Sequence, residues 1–102
     1  MVVRVLDHIS RCSAHEDGEI IYRIIRPILA RGEKVAVSFD GISAVTSSFV
    51  NTAFIDLLDV FPFDQIKKNL TFLHSTRQIN ELIKKRFKFE TETRPSQLAY
   101  AY

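Results

Sequence analysis

The side chains in this sequence best suited to chemistry lie together in the run Thr46-Ser47-Ser48. The run follows an apolar segment with the pattern of a buried strand and precedes a segment with helical apolar spacing. A hydroxyl at a helix N-terminus caps the helix by accepting a hydrogen bond from a free backbone amide. The same position suits a phosphate, because free amides and the positive end of the helix dipole stabilise negative charge. The residues alone favour the cap over the phosphate site, since capping is the commoner role.

Two other kinds of site receive less support from the residues. Cys12 and His15 have a ligand-like spacing with His8 nearby, but structural zinc needs four ligands and no second pair matches. A hydrolase with a Gly-x-Ser-x-Gly nucleophile elbow is not indicated, because the sequence lacks that motif. The three glycines also lie too far apart for a phosphate-binding loop. We therefore predict no catalytic residue, no metal and no cofactor.

The composition is that of an ordinary soluble protein with one domain. The chain has 102 residues, of which 46% are apolar and 25% charged, and this length suffices for one core but not for two. A net charge of +2 gives no strong attraction to nucleic acid or to an anionic membrane. The basic cluster over residues 84–88 is predicted to close a helix, where cations complement the helix dipole. A single cysteine, no signal peptide and no apolar stretch of membrane-spanning length favour a cytoplasmic protein.

Strand and helix patterns alternate along the chain. Period-two apolar patterns predict three strands, over residues 2–9, 34–39 and 70–74. Apolar residues at helical spacing predict three helices, over residues 13–30 and 48–61 and from residue 75 onward. Capping-box spacings mark two of the helix starts, at Ser13 and Ser75, and Gly32 is the predicted end of the first helix. Right-handed crossovers make such strands parallel, so we predict an α/β sandwich in which a small, mostly parallel sheet packs against three to four helices.

The sequence divides into a domain over residues 1–89 and a polar C-terminal tail over residues 90–102. The tail is compatible with disorder, with an added edge strand or with a partner-binding surface. Residues 63–69 are predicted to form a connector, and a turn of helix from Asp64 is compatible with their sequence. The second strand is predicted to be central and covered on both faces, because Ala36 and Ser38 between its larger residues are small enough for burial.

The segment over residues 34–58 resembles the core of STAS domains, the fold of bacterial anti-sigma-factor antagonists. In those domains a strand of the type Val-x-Leu-Asp-Leu-Ser leads through a short loop to Asp-Ser-Ser-Gly at a helix start. Here Val37-Ser38-Phe39-Asp40-Gly41-Ile42 leads to Thr46-Ser47-Ser48-Phe49 with matching length. The resemblance implies the fold predicted above, a STAS-like sandwich.

The sequence is more similar still to a STAS-like family of unknown function. Its members have a strand that ends in Asp-Phe or Phe-Asp, then Gly-Ile or Gly-Val, then a Ser-Ser-Phe helix start. Gly18 within an isoleucine-rich helix also fits that family. This resemblance covers residues 2–89, and its distinctive motif lies within residues 35–54.

The resemblance implies a non-catalytic bacterial signalling domain that acts by binding a protein. Characterised antagonists bind an anti-sigma factor that is also a serine kinase of the histidine-kinase-type ATPase fold. Phosphorylation of a loop serine in the antagonist then breaks the complex. An anti-sigma factor or a histidine-kinase-type ATPase is therefore the implied partner of this chain.

Individual roles follow from the same resemblance. Ser48 corresponds by position to the phosphorylated serine, and Ser47 is its neighbour. Thr46 stands where the family has Asp, and Phe49 stands where it has Gly. We interpret Phe49 as a core residue, because its helical spacing from other apolar residues directs it towards the sheet. The residues implied in partner contact or phosphorylation are Thr46, Ser47, Ser48, Asp40, Asn51 and Asp56.

An alternative is a small-ligand module that holds a nucleotide or another anion at the Ser47–Ser48 helix start. A helix N-terminus favours such a ligand. The nearby sequence offers few cations to pair with it, since no Lys or Arg occurs between Lys34 and Lys67.

Overall fold

Three short parallel strands form the sheet in the computed structural model, which describes residues 1–93. They are β1 (Val2–Arg4), β2 (Val35–Ser38) and β3 (Leu70–Leu73). Strand β2 lies at the centre and pairs in parallel with both neighbours. The predicted α/β fold with a small parallel sheet is therefore confirmed, and so is the central place of the second strand.

The two faces of the sheet differ in how well they are covered. Residues paired across parallel strands form rows that point to one face. The row that faces the core consists of Val3, Val37 and Phe72. The next row points the opposite way and consists of Val2, Ala36 and Thr71. Val2 and Thr71 are exposed and Ala36 is half-buried, so the expectation that β2 is covered on both faces is wrong at Ala36, although Ser38 is buried.

Helix α1 (His15–Ala30) packs an isoleucine-rich stripe into the core. Its buried positions recur at helical spacing and include Ile21, Ile25, Ile28 and Leu29. Pro27 lies inside the helix without ending it, since a further turn closes before the stop at Gly32. Gly32 has a φ of +73° and donates its amide to the Leu29 carbonyl at 2.9 Å, as the predicted C-terminal cap requires.

The start of α1 differs from the predicted capping box. The carboxylate of Asp17 accepts hydrogen bonds from the backbone amides of Ser13 (3.3 Å) and Ala14 (3.0 Å). The Ser13 side chain does not cap the helix. The N-cap residue is Ala14, one residue after the predicted cap, and the helix begins at His15. A carboxylate in the first turn is also favourable because it lies at the positive end of the helix dipole.

Helix α2 (Ser47–Ala53) is shorter than the predicted helix over residues 48–61. A separate 3₁₀ turn, Ile55–Asp59, follows it. All four residues from Thr52 to Ile55 are buried, whereas a straight amphipathic helix buries only one stripe. The change of helix type at Phe54, which has a φ of −124°, allows these consecutive side chains to reach the core.

A 3₁₀ turn, Val5–Asp7, follows β1, so the first strand is shorter than the strand predicted over residues 2–9. Two further helices follow the 3₁₀ turn after α2. The predicted connector forms a true helix, α3 (Phe63–Asn69), and α4 spans Arg77–Thr93. Helix α4 therefore includes residues 90–93, which the sequence analysis assigned to the tail. The basic cluster at residues 84–88 lies in the middle of α4 rather than at its end, so the helix-end interpretation of that cluster is wrong. The rest of the tail, residues 94–102, lies outside the described residues.

The cap of α4 is the hydroxyl of Thr76, which accepts a hydrogen bond from the Ile79 amide at 3.3 Å. The predicted box used Ser75 and Gln78, but the Gln78 side chain bonds a different segment of the chain. Within residues 1–93, none of the helices has the length and apolarity needed to cross a lipid bilayer.

Helices α1 and α2 lie in close contact at Gly18. A methyl group at this position would lie 2.8 Å from the Phe49 carbonyl oxygen and 2.8 Å from Thr52 Cβ. It would also lie 3.1 Å from the backbone nitrogen of Ala53. Two of these three contacts are with backbone atoms, which cannot rotate away. Gly18 is therefore required by the close approach of the two helices.

Replacement of Gly18 tests this contact. We expect Gly18→Ala to lower the free energy of unfolding by about 1–3 kcal/mol, as overpacking does. This loss would occur although alanine favours an exposed helix by about 1 kcal/mol over glycine. Urea denaturation of the variant against the wild type measures it. Arg23→Ala, on the exposed side of α1, is the control and should stay within about 0.5 kcal/mol. A Gly18→Ala protein as stable as the wild type would contradict the close contact.

Candidate functional site

The run Thr46-Ser47-Ser48 forms the start of α2, as its sequence predicted. Thr46 is the N-cap residue, and its hydroxyl oxygen accepts a hydrogen bond from the Phe49 amide at 3.2 Å. Ser47 and Ser48 are the first two residues of the helix, and both are exposed. Among the described residues, neither serine hydroxyl takes part in a side-chain hydrogen bond. The site thus presents two accessible hydroxyls on a capped helix end.

The Thr46 hydroxyl also acts as a donor. It donates to the carbonyl oxygen of Ser13 at 2.7 Å, while the Thr46 backbone amide donates to the Cys12 carbonyl at 3.1 Å. These bonds join the start of α2 to the segment that precedes α1. An ionised aspartate could accept from Phe49 but could not donate to Ser13, because it carries no hydrogen. Threonine at the family's Asp position therefore fits the geometry of this chain.

The same loop is held from the opposite side by α4. The Gln78 side-chain amide donates to the Val45 carbonyl at 3.1 Å, and its oxygen accepts from the Val45 amide at 3.1 Å. The Thr76 hydroxyl donates to the Ser43 carbonyl at 3.1 Å. Backbone groups of residues 43–46 are thus satisfied by two separate segments of the protein. Sequence reasoning missed the Gln78 contact because it assigned that residue to a local capping box.

Thr52 connects α2 to the first turn of α1. Its hydroxyl donates to the Ser48 carbonyl at 3.1 Å and lies 2.9 Å from Nδ1 of His15. Because the single hydroxyl hydrogen is used on Ser48, His15 Nδ1 serves as the donor to Thr52. The other ring nitrogen of His15 lies 3.5 Å from the Glu19 carboxylate. The imidazole is therefore a fixed contact between the helices.

Phe49 is fully buried, which confirms its interpretation as a core residue. Its ring meets Phe54 edge to face, with the centroids 5.9 Å apart. Phe54 in turn contacts Phe72 of β3 at 5.2 Å and Phe39 at 6.3 Å, both edge to face. This aromatic cluster anchors the underside of α2 to the sheet, so the two serines next to Phe49 are left on the outer side.

The acidic and amide residues of the predicted surface are more dispersed. Asp40 is exposed two residues beyond β2, and its carboxylate lies 3.6 Å from a guanidinium nitrogen of Arg4. Asn51 is half-buried and accepts a hydrogen bond from Arg86 Nε at 2.8 Å. Asn51 therefore ties α2 to α4 instead of presenting a free amide. Asp56 is exposed but belongs to the 3₁₀ turn after α2, so its predicted place on the same helix is wrong.

Cys12 and His15 each have a separate structural role. Cys12 is buried, and burial together with the nearby Asp17 charge raises the pKa of its thiol to about 12. A buried thiol with a raised pKa is less reactive than an exposed cysteine. No three side chains of the types that bind metals cluster within residues 1–93.

Substitutions of Thr46 separate its two roles. Thr46→Val removes both side-chain hydrogen bonds, and we expect a loss of about 1–2 kcal/mol in the free energy of unfolding. Thr46→Ser retains both bonds and should stay within about 1 kcal/mol of the wild type. Thr46→Asp retains the cap but places a carboxylate against the Ser13 carbonyl, so we expect it to be less stable than Thr46→Ser. Urea denaturation at neutral pH measures all three. Equal stability of the Asp and Ser variants would contradict the donor role.

Comparison with known families agrees with this fold. A family model described as a STAS-like domain of unknown function (DUF4325) matches residues 17–80, which is more than half of the chain. No curated protein and no solved structure shows a significant match. The matched range contains most of α1, the central strand, the Thr46 cap with its two serines, and the Gln78 contact. The chain thus belongs to the family of STAS-like domains of unknown function.

Proposed function

We propose that the chain is a non-catalytic regulatory domain that binds a protein partner through the exposed start of α2, under control of phosphorylation at Ser48. One observation carries this proposal. The loop over residues 43–46 is held by hydrogen bonds from two separate segments, yet the adjacent serine side chains are exposed. The contact surface is defined here as Ser43, Ala44, Ser47 and Ser48, all of which are exposed.

Rigidity of this surface favours protein binding. A loop that is ordered before association does not lose further conformational entropy when the partner arrives. The hydrogen bonds of Thr46 and Gln78 satisfy the loop's backbone without using the outward side chains. The surface is thus ordered before a partner binds. Its side chains are small, so the partner's backbone can come close to it.

The position of Ser48 is compatible with a phosphate. Phosphorylation adds a charge of about −1.5 to −2 at neutral pH. No acidic residue lies in the first turn of α2, and the positive end of the helix dipole is close. The added charge is therefore tolerated by the domain itself. At an interface it would need desolvation and would repel acidic partner groups, so it would act on binding rather than on folding.

Within residues 1–93, no side chain that could act as a base is hydrogen-bonded to the hydroxyl of Ser47 or Ser48. A serine nucleophile requires a base within hydrogen-bond reach. The imidazole joined to this region, His15, contacts the Thr52 hydroxyl. This arrangement supports the non-catalytic proposal, in which the serines are modified by another enzyme.

The proposed partner is a serine kinase or an anti-sigma factor of the histidine-kinase-type ATPase fold in the bacterial cytoplasm. This choice follows from the STAS resemblance together with the exposed serine at the corresponding position. The small-ligand alternative has less support, because the Thr46 hydroxyl already occupies the Phe49 amide, which a free anion would otherwise contact. No Lys or Arg occurs within residues 35–66 to neutralise a bound anion.

The test compares the wild type and three variants of the full chain as bait in the native host. We expect the wild type and Ser48→Ala to recover the same ATPase-type partner, and Ser48→Asp to recover at least about tenfold less of it. Arg23→Gln is the matched control, since it changes the net charge by the same amount on the exposed face of α1. Calorimetric titration with the purified partner then gives the affinities. Equal affinity of Ser48→Asp and the wild type would contradict the proposal.

The same variant must remain folded for this test to bear on binding. We expect Ser48→Asp to be as stable as the wild type or more stable by about 0.3–1 kcal/mol, because a negative charge near a helix N-terminus is favourable. Urea denaturation measures this. A loss of more than about 1 kcal/mol would contradict the claim that the site accommodates a phosphate without unfolding.

A further inference from the structure

A groove between α3, β3 and α4 has no part in the proposed interaction surface. Its volume is about 420 Å³, within the range of about 300–1,000 Å³ that is usual for small-molecule sites. Leu70 at its floor pairs with Val35, the first residue of β2, whereas the serine site follows the last residue of that strand. The groove and the serine site therefore lie towards opposite ends of the strands.

The walls of the groove are apolar. They are formed by Phe63, Ile66, Leu70, Phe72 and Phe87. The rings of Phe63 and Phe87 lie 5.4 Å apart between centroids, so they form a continuous wall from α3 to α4. Phe63 and Phe72 remain half-exposed within this groove. An apolar ligand would cover this surface and remove it from water.

Three lysines surround the apolar walls. They are Lys67 on α3 and Lys84 and Lys88 on α4, and all three are exposed. Among the described residues, none of them forms an ion pair. Lys84 and Lys88 are four residues apart on one helix face, a spacing at which like charges repel each other. They also lie in the middle of α4, where the helix dipole does not compensate them.

We propose that this groove binds an amphipathic anion, namely a fatty-acid-like molecule whose hydrocarbon chain lies on the aromatic wall and whose carboxylate lies between Lys84 and Lys88. Charge complementarity and volume favour this occupant. The side chains of residues 94–102 include an arginine and no acid, so they offer these lysines no side-chain carboxylate. An uncharged apolar ligand would leave the three ammonium groups uncompensated.

Calorimetric titration of the full chain with dodecanoate, below its micelle-forming concentration, tests the proposal. We expect saturable binding at one site, weaker binding of dodecanol, which lacks the charge, and no binding of acetate, which lacks the chain. The double variant Lys84→Gln/Lys88→Gln should weaken dodecanoate binding by about tenfold or more. The matched control Lys68→Gln/Lys85→Gln removes the same charge from exposed neighbours outside the groove, and it should bind as the wild type does.

Methyl resonances locate the ligand. Shifts confined to Ile66 and Leu70 on addition of dodecanoate would support the groove as the site. Absence of saturable binding, or equal weakening in both double variants, would overturn the proposal. Nuclear Overhauser contacts between Tyr100 or Tyr102 and Leu70 in the ligand-free protein would also overturn it, because they would assign the groove to the chain's own C-terminal residues.

Discussion

The close approach of α1 and α2 at Gly18 is the constraint on which the candidate site depends. Without a side chain at this position, the backbone of α2 comes within van der Waals distance of α1. That distance brings Thr52 within hydrogen-bond reach of His15 at 2.9 Å. It also brings Thr46 within 2.7 Å of the Ser13 carbonyl. A wider separation of the helices would lengthen both bonds and free the start of α2 from the segment before α1.

The hydrogen bonds near the contact of α1 and α2 bear directly on the proposed function. The Thr46 hydroxyl accepts a hydrogen bond from the Phe49 amide and donates one to the Ser13 carbonyl. Gln78 of α4 donates a hydrogen bond to the carbonyl of the adjacent Val45. The buried ring of Phe49 holds the other side of the helix against the aromatic cluster. Every group that fixes the loop therefore lies beneath it or beside it. Ser47 and Ser48 are left exposed on a surface that is already ordered, which suits both a docking partner and a modifying enzyme.

Sequence reasoning succeeded where local chemistry decides the structure. The cap at Thr46, the stop at Gly32 and the burial of Phe49 each follow from a residue type and its immediate spacing. It failed where a tertiary contact overrides a local preference. Gln78 has the spacing of a capping box, but its side-chain amide instead forms two hydrogen bonds with the backbone of Val45, 33 positions earlier in the chain.

The other failures have the same origin. The predicted helix over residues 48–61 ends early because consecutive side chains around Phe54 all enter the core, and a pattern of apolar residues alone does not reveal this. The sequence predicts a helix end at residues 84–88, because it becomes polar beyond them. Helix α4 in fact continues to Thr93, and this leaves the lysines beside an apolar groove. The donor role of Thr46 was also beyond local reasoning, since Ser13 is remote in sequence.

The central claim is that the interaction surface is rigid before any partner binds. Amide hydrogen exchange in the isolated protein tests it most directly, because the Val45, Thr46 and Phe49 amides all donate to protein groups. We predict that these three amides exchange at least about a hundredfold more slowly than in an unstructured peptide of the same sequence. Exchange of the three amides at the unstructured rate would contradict a preformed surface.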